Sequence, residues 1–380
     1  MHVLFKRLAP CGLFLALLTW LPACRGREFA KPMPPFAGAA SESLIVFQSD
    51  DEANFRRPRI HFISPGDGRA SELDQKRSAD LQKVISEPHI VYSGIMVAAD
   101  GSHAPLVTAK EATGQISVHA DSIVSPDGKR FLRSDLSSIT VQTISTKAEA
   151  GPASELADCD WESADSIICL AGKYQERRQI VRLGADLQRR EVLFKTAGKP
   201  KMENLIVAPD KKSAVFTTNE ADNVTIYRLH LATGRVEAQE SFTGRYIFSL
   251  GVSGEGVIAA RIVHSKHTPD KLDPYDVWIS QPYGPAKAKG YLLNLPALDA
   301  PGFFSGKGFR GVDAFAFSPD GKSLALLMSG ENDCSMADEG GNLACRQNVY
   351  VVQKDSQTIR QLTQFRMTSA RKIRWVKFTR

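Results

Sequence analysis

"AFAFSPDGKSLALLMS", residues 314–329, has an echo at 123–134 ("IVSPDGKRFLRS") and a weaker one at 206–218 ("IVAPDKKSAVFTT"). The shared phrase is a turn. Pro319 presets φ near about −65° for the first corner, Asp320 suits the second, and Gly321 accepts the positive φ that follows. A type I turn closed by a left-handed glycine is a common hairpin connection. Before it, Phe315 and Phe317 alternate with Ala314 and Ala316; after it, Leu324, Leu326 and Met328 alternate with Ala325 and Leu327. Both alternating sets are apolar, so neither face of this hairpin is built for water. A sheet solvated on one side would alternate apolar with polar. Small sheets buried on both faces occur where blades stack around an axis.

Repeats extend this reading along the chain. A second strand type follows each turn phrase, at Val349-Tyr350-Val351-Val352, Ile226-Tyr227-Arg228-Leu229 and Ile180-Val181-Arg182-Leu183, with a looser copy at Val277-Trp278-Ile279. Polar hairpins ("KDSQ" at 354–357, "LATG" at 231–234, "GADLQ" at 184–188) and a further strand ("IRQLT" at 359–363, "RVEAQ" at 235–239) complete each unit. Each unit is thus four antiparallel strands A, B, C and D, with the Ser-Pro-Asp-Gly turn between A and B. A strands are expected near 93–99, 119–125, 158–162, 202–208, 247–253, 311–317 and 373–379. The last has no B strand after it, while "SLIVFQS" (43–49) begins as B with no A before it, and "RIHFIS" (59–64) follows as C. The predicted fold is an all-β propeller of seven four-stranded blades, one blade closed by both termini. Six blades is the alternative, because the A strands expected at 93–99 and 119–125 leave little room for a full unit.

With "SPDGK", "SLALLMS" and "NVYVVQKDSQTIRQLT" the chain resembles the TolB-like, or WD40-like PD40, β-propeller repeat family over most of residues 43–380. The resemblance implies a propeller fold. It does not single out one activity: the family includes periplasmic scaffold proteins, some lyases with this propeller use metal-binding histidines, and oligopeptidases carry it ahead of a hydrolase domain.

The N-terminus reads as an export signal: Lys6 and Arg7, the apolar run "LFLALLTWL", then "LPAC" at 21–24. That ending resembles the bacterial lipobox, which implies removal of residues 1–23 and lipidation of Cys24; two or three acyl chains anchor a protein stably where one is marginal. Arg25 follows, and by resemblance to the Gram-negative sorting rule, in which Asp at that position retains lipoproteins at the inner membrane, it implies the outer membrane. Residues 24–42 carry Pro, Ala and Gly without a hydrophobic period and read as a tether to the propeller domain at 43–380. Loss of Lys6 and Arg7 lowers the net charge from +6 to +4. The basic residues are scattered, which argues against a nucleic-acid partner. Four cysteines then remain, in the close pairs Cys159/Cys169 and Cys334/Cys345; an exported compartment permits disulfides, and neither pair has CxxC spacing. Centring the hairpin "CDWESADSIIC" on Ala164 places Cys159 opposite Cys169 and Trp161 opposite Ile167. Cys334 and Cys345 close a loop.

Few motifs carry chemistry. "GKGFRG" (306–311) matches GxGxxG by letter, but a strand follows it where a dinucleotide fold needs a helix, and no GxSxG occurs. "HSKHTPDKLD" offers His264, His267, Asp270 and Asp273, a loose set for a divalent metal. Strand order assigns the long segments 264–274, 298–311 and 329–347 to one face, as B–C loops or D–A crossings, and the tight turns to the other. Long loops on a rigid scaffold are where binding concentrates. Phe303, Phe304, Lys307, Arg310 and His267 are the candidate contacts. The expectation is a non-enzymatic, lipid-anchored scaffold without a cofactor, binding an envelope protein or another extracytoplasmic ligand. The alternative is a metal-dependent lyase or hydrolase acting on an extracytoplasmic saccharide or peptide.

Overall fold

A computed structural model describes residues 43–51, 54–66, 68, 70–92, 95–105, 123–134, 138–145, 148–173, 176–196, 200–264, 276–280, 290–292, 309–336, 343–353, 359–363 and 370–378. Strands β1 (Ser43–Asp51), β2 (Asn54–Ile63) and β3 (Ala70–Glu72) form the first blade with the last strand, β27 (Ala370–Lys377), which pairs with β1. The closing register sets Leu44 opposite Val376 and Ile45 opposite Trp375. Trp375 Nε1 also donates to Ser43 Oγ at 3.1 Å. The two chain ends thus complete one blade, as expected.

Blade 2 holds β4 (His89–Tyr92), β5 (Ile95–Ala98) and β6 (His103–Pro105). Blade 3 is β7 (Ile123–Val124), β8 (Arg130–Ser134), β9 (Ser138–Thr143) and β10 (Glu149–Ser154). Blade 4 is β11 (Leu156–Ser163), β12 (Ser166–Ala171), β13 (Gln179–Gly184) and β14 (Arg190–Lys195); blade 5 is β15 (Lys201–Val207), β16 (Ser213–Glu220), β17 (Asn223–His230) and β18 (Val236–Thr243). Blade 6 is β19 (Arg245–Val252), β20 (Ile258–His264), β21 (Asp276–Ile279) and β22 (Tyr291–Leu292), and blade 7 is β23 (Phe309–Phe317), β24 (Ser323–Met336), β25 (Leu343–Gln353) and β26 (Ile359–Gln361). All pairings within the sheets are antiparallel, and there are seven blades.

Blade 2 is where the expectation needs correction. The strand expected as its A at 93–99 is β5, in the middle of the sheet, and the sheet begins at β4. Three strands are described in it. The far edge of β6 is met by the chain that enters the blade: Ser78 makes a parallel bridge with His103, and Ala79 N donates to His103 O at 2.9 Å. Helix α1 (Leu81–Ser86) follows and buries Val84. This economy fits the short interval between the A-type strands of blades 2 and 3. Among the described residues no helix is long and apolar enough to cross a membrane.

The two-sided apolar pattern of the opening phrase has a direct structural cause. Phe315, Phe317, Leu324, Leu326 and Met328 pack on blade 6, together with Val257, Ala259, Val277 and Ile279. Their neighbours Ala314, Ala316, Ala325 and Leu327 pack on blade 1, against Ile45, Phe47, Ile63 and Ile373. Each remaining pair of neighbouring blades shares a cluster of the same kind, including blades 1 and 2 through Leu44, Phe62, Ile90 and Tyr92, and blades 2 and 3 through Met96, Ala98, Phe131 and Ile144. Seven interfaces close the ring. Each fully buried Leu, Ile or Phe contributes about 1.5–3 kcal/mol relative to exposure, so the drive to close is spread around the circle.

Candidate binding face

The A–B and C–D turns lie at one end of the ring, here the lower face. Their chemistry is structural. Ser318 Oγ donates to Asp320 Oδ1 at 2.6 Å and accepts from Ser323 N at 2.9 Å, while Asp320 Oδ1 accepts from Lys322 N at 3.1 Å. Ser125, Asp127, Lys129 and Arg130 repeat the same bonds, and Gly321 and Gly128 both stand at φ 70°. In the weaker copy Lys211 takes that left-handed place at φ 59°. Arginines then strap four of the blades to a turn of the next. Arg130 Nη1 donates to Ala164 O at 3.0 Å, Arg182 Nη2 to Leu231 O at 2.9 Å, Arg228 Nη2 to Gly256 O at 2.7 Å and Arg360 Nη1 to Gly66 O at 2.9 Å. Arg182 is itself held by Glu162 through two bonds of 2.8 Å.

The upper face receives the B–C connections and the D–A crossings. There the innermost strands depart from a regular ladder, each at the corresponding place. Register shifts fall between Ala157 and Asp160 in β11, Glu203 and Ile206 in β15, Ile247 and Ser249 in β19, and Val312 and Ala314 in β23. Such bulges re-aim the side chains they carry. Asp158 and Asn204 occupy them with φ of 45° and 57°, a backbone region that Asp and Asn tolerate better than most residues. Their side chains link blade to blade: Asn204 N donates to Asp158 Oδ2 at 3.0 Å, and Asn204 Nδ2 donates to Ile247 O at 3.2 Å. Nearer the lower face, Val207 N donates to Asp160 Oδ2 at 3.1 Å, and Trp161 Nε1 to Ile123 O at 2.8 Å.

Burial pushes the Asp158 carboxyl above its usual range, opposed by Arg177 and by the Asn204 N–H. Lys201 Nζ and Glu203 Oε1 pair at 2.6 Å beside it. The next bulge carries no polar group. It carries Phe248, 52% exposed, with Tyr246 two residues earlier at 42%. Val192 completes the set of large exposed hydrophobics among the described residues. The Arg261 guanidinium lies 5.1 Å from the Phe248 ring centroid, within cation–π range. Two exposed aromatics on an inner strand, one of them against a guanidinium, offer an apolar anchor beside a cation.

The expected contacts divide. Arg310 lies in β23 at the upper end, and His264 ends β20 opposite Arg245. Phe303, Phe304, Lys307, His267, Asp270 and Asp273 lie outside the described residues, as does Cys24. Among the described residues no three His, Cys, Asp or Glu side chains are grouped to hold a metal. Cys159 and Cys169 form a disulfide with S–S 2.11 Å, and Trp161 faces Ile167 as centring on Ala164 predicts. Cys334 and Cys345 face each other in register, so the segment expected as a loop at 334–345 is partly an extension of the β24–β25 hairpin. Sequence reading passed over Tyr246 and Phe248. The available signal was two aromatics at strand spacing in "GRYIFSLGV", where the matching bulges of blades 4 and 5 carry Asp158 and Asn204.

No protein-family model and no curated protein matches the chain. Solved structures do. An oligogalacturonate lyase from Vibrio parahaemolyticus superposes with TM-score 0.55 at 9% identity, over 88% of this chain and 91% of that one. An oligogalacturonate lyase in complex with manganese gives TM-score 0.50 at 10% identity, over 80% and 86%. TolB from Acinetobacter baumannii gives TM-score 0.47 at 14% identity, over 88% of this chain and 66% of that one. At such identities the likeness is one of fold. The chain is a seven-bladed β-propeller in which two of the A–B turns read Ser-Pro-Asp-Gly.

Proposed function

We propose that this chain is a non-enzymatic binding scaffold of the bacterial envelope, held at the outer membrane through Cys24, and that it captures a protein or other extracytoplasmic ligand on its upper face. The observation that carries the reading is the exposure of Tyr246 and Phe248 on an inner strand, with Arg261 against Phe248. Exposed aromatics on a rigid strand lose little conformational entropy on binding and are the usual anchors of an interface. The lower face, strapped by arginines, has the opposite character. Strand order leads us to expect Phe303, Phe304, Lys307, Arg310 and His267 at the same upper end, and one partner would then meet both sets. Changing Tyr246 and Phe248 together to Ser should abolish capture of the partner by the anchored protein while the thermal midpoint stays nearly unchanged. Capture that survives would remove the upper face from consideration. Cys24→Ser should move the protein from the membrane to the soluble fraction; an unchanged membrane fraction would refute the anchor.

The fold shared with oligogalacturonate lyases, together with His264, His267, Asp270 and Asp273, supports a second reading as a metal-dependent lyase. Stoichiometric manganese or zinc in the purified protein, lost on changing His264 and His267 to Ala, would favour it over the scaffold.

A further inference from the structure

Blades of a propeller are close at the axis and splay outward. Between blades 4 and 5 the inner part of this wedge is filled by Ile168, Met202, Leu205 and Ala214. Further out it opens into a cleft of about 220 Å³. The wall from blade 5 is a ladder of three rungs. Strand alternation puts Phe216, Thr218 and Glu220 on one face of β16, and the register sets them opposite Tyr227, Thr225 and Asn223 of β17. Polarity therefore climbs rung by rung from an aromatic floor, through two hydroxyls, to a carboxylate and an amide at the mouth. Phe216 is fully buried, whereas Glu220 and Asn223 are exposed.

The floor is made of rings. Phe216 stacks on Tyr227 with centroids 5.5 Å apart, and Phe194 from β14 meets Phe216 at 5.8 Å. The upper rungs are held from behind by β18: Thr225 Oγ1 lies 2.9 Å from Ser241 Oγ, and Thr243 Oγ1 donates to Asn223 Oδ1 at 2.8 Å. That bond turns the Asn223 amide nitrogen toward other partners. From blade 4, Thr196 lines the cleft, and its Oγ1 is screened from solvent without a partner among the described residues. A buried hydroxyl in that state calls for an explanation.

We propose that this cleft binds one neutral sugar ring, free or at the end of a glycan. Size comes first. At about 30 Å³ per water the cleft holds roughly seven waters, less than the ~300–1,000 Å³ of drug-sized pockets, so it seats about a single ring. Charge comes second. Among the described residues the lining has the Glu220 carboxylate and no Lys, Arg or His, so a phosphate or a uronate would meet that carboxylate and find no counter-ion among them. Chemistry decides between the remaining neutral ligands. A purely apolar group would leave the Thr196 and Thr218 hydroxyls unsatisfied. A sugar lays its C–H face on an aromatic ring and turns its hydroxyls to Thr, Asn and Glu. The mouth lies at the upper end of blade 5, on strands other than the one that carries Tyr246 and Phe248, and the proposal does not depend on how those aromatics are used.

The test is saturation-transfer NMR on the whole chain in a sugar-free detergent. The probes are the methyl glycosides of glucose, N-acetylglucosamine and galacturonate, and a disaccharide ending in whichever neutral ring binds. Saturable millimolar binding of a neutral glycoside is expected, at least tenfold weaker for the galacturonate. Glu220→Gln and Thr196→Val, both folded by thermal melt, should each weaken it about tenfold, as expected for one lost hydrogen bond of roughly 1.4 kcal/mol. Tighter binding of the disaccharide would mark the glycan end as the natural source, and equal binding the free sugar. No saturation by any neutral ring, preference for the galacturonate, or indifference to both variants would overturn the proposal.

Discussion

Asp160 is the most deeply committed charge among the described residues. Its Oδ1 accepts from Trp161 N at 2.8 Å and its Oδ2 from Val207 N at 3.1 Å, tying blade 4 to the inner strand of blade 5. Burial pushes its carboxyl above the usual range, and Lys211, whose Nζ donates to Trp161 O at 2.7 Å, works against that. Asp160→Ala would leave two N–H groups without their acceptor and remove the negative charge near Lys211, and should cost about 2–4 kcal/mol of stability in urea titration. A loss below about 0.5 kcal/mol would show that Asp160 does not join the blades. His61 is legible at the same scale. It stacks on Phe47 with centroids 5.0 Å apart, and burial, with Arg59 adding to it, lowers its pKa to about 4. Between about pH 4 and 6.5 the unfolded chain then binds more protons at this site than the folded one. The contribution is complete above pH 6.5 and is lost as pH falls toward 4. About 3 kcal/mol is at stake over that window, and His61→Phe should flatten the acid limb of the pH–stability curve. An unchanged limb would contradict the assignment.

Elements carry the largest share of what the sequence made legible, because the turn chemistry is local. Ser, Asp and Gly within four residues fix the A–B hairpin, so Ser318 to Gly321 could be read without knowing the neighbouring blade. The orphan strands at the ends were equally plain, since an inner strand without a partner must find one. Deleting 371–380 should therefore cost far more than trimming a frayed end, because it strips β27 from its ladder with β1. A cooperative melt within a few degrees of the intact protein would mean that the ends do not lock the ring. Two things were not legible. Blade 2 meets the segment 78–79 at its outer edge through a single bridge, which carries no periodic signal. The "GVSGEGV" turn in blade 6 uses Ser253 and Gly256 as the other turns use Ser and Gly, with Val257 N donating to Ser253 Oγ at 3.0 Å. Without Pro and Asp it did not read as a copy.

At the scale of the whole molecule, strand order alone separates a locked end from an open one. The lower face spends its arginines on the neighbouring blade's turns, and the upper face exposes aromatics. Loop length points to one end of a scaffold but not to residues on the inner strands. Tyr246 and Phe248 stand out only once the bulge at Phe248 has turned that ring to solvent, and a register shift is a property of the paired strands. The most direct measurement is site-specific photo-crosslinking in living cells, with a photoreactive residue at position 248 and, as the control, at the equally exposed position 192 on the outer strand of blade 4. A discrete crosslinked species from position 248 and none from 192 is the result predicted for a scaffold that captures its partner on the upper face. Crosslinks from 192 alone, equal yields from both, or none from 248 would contradict it.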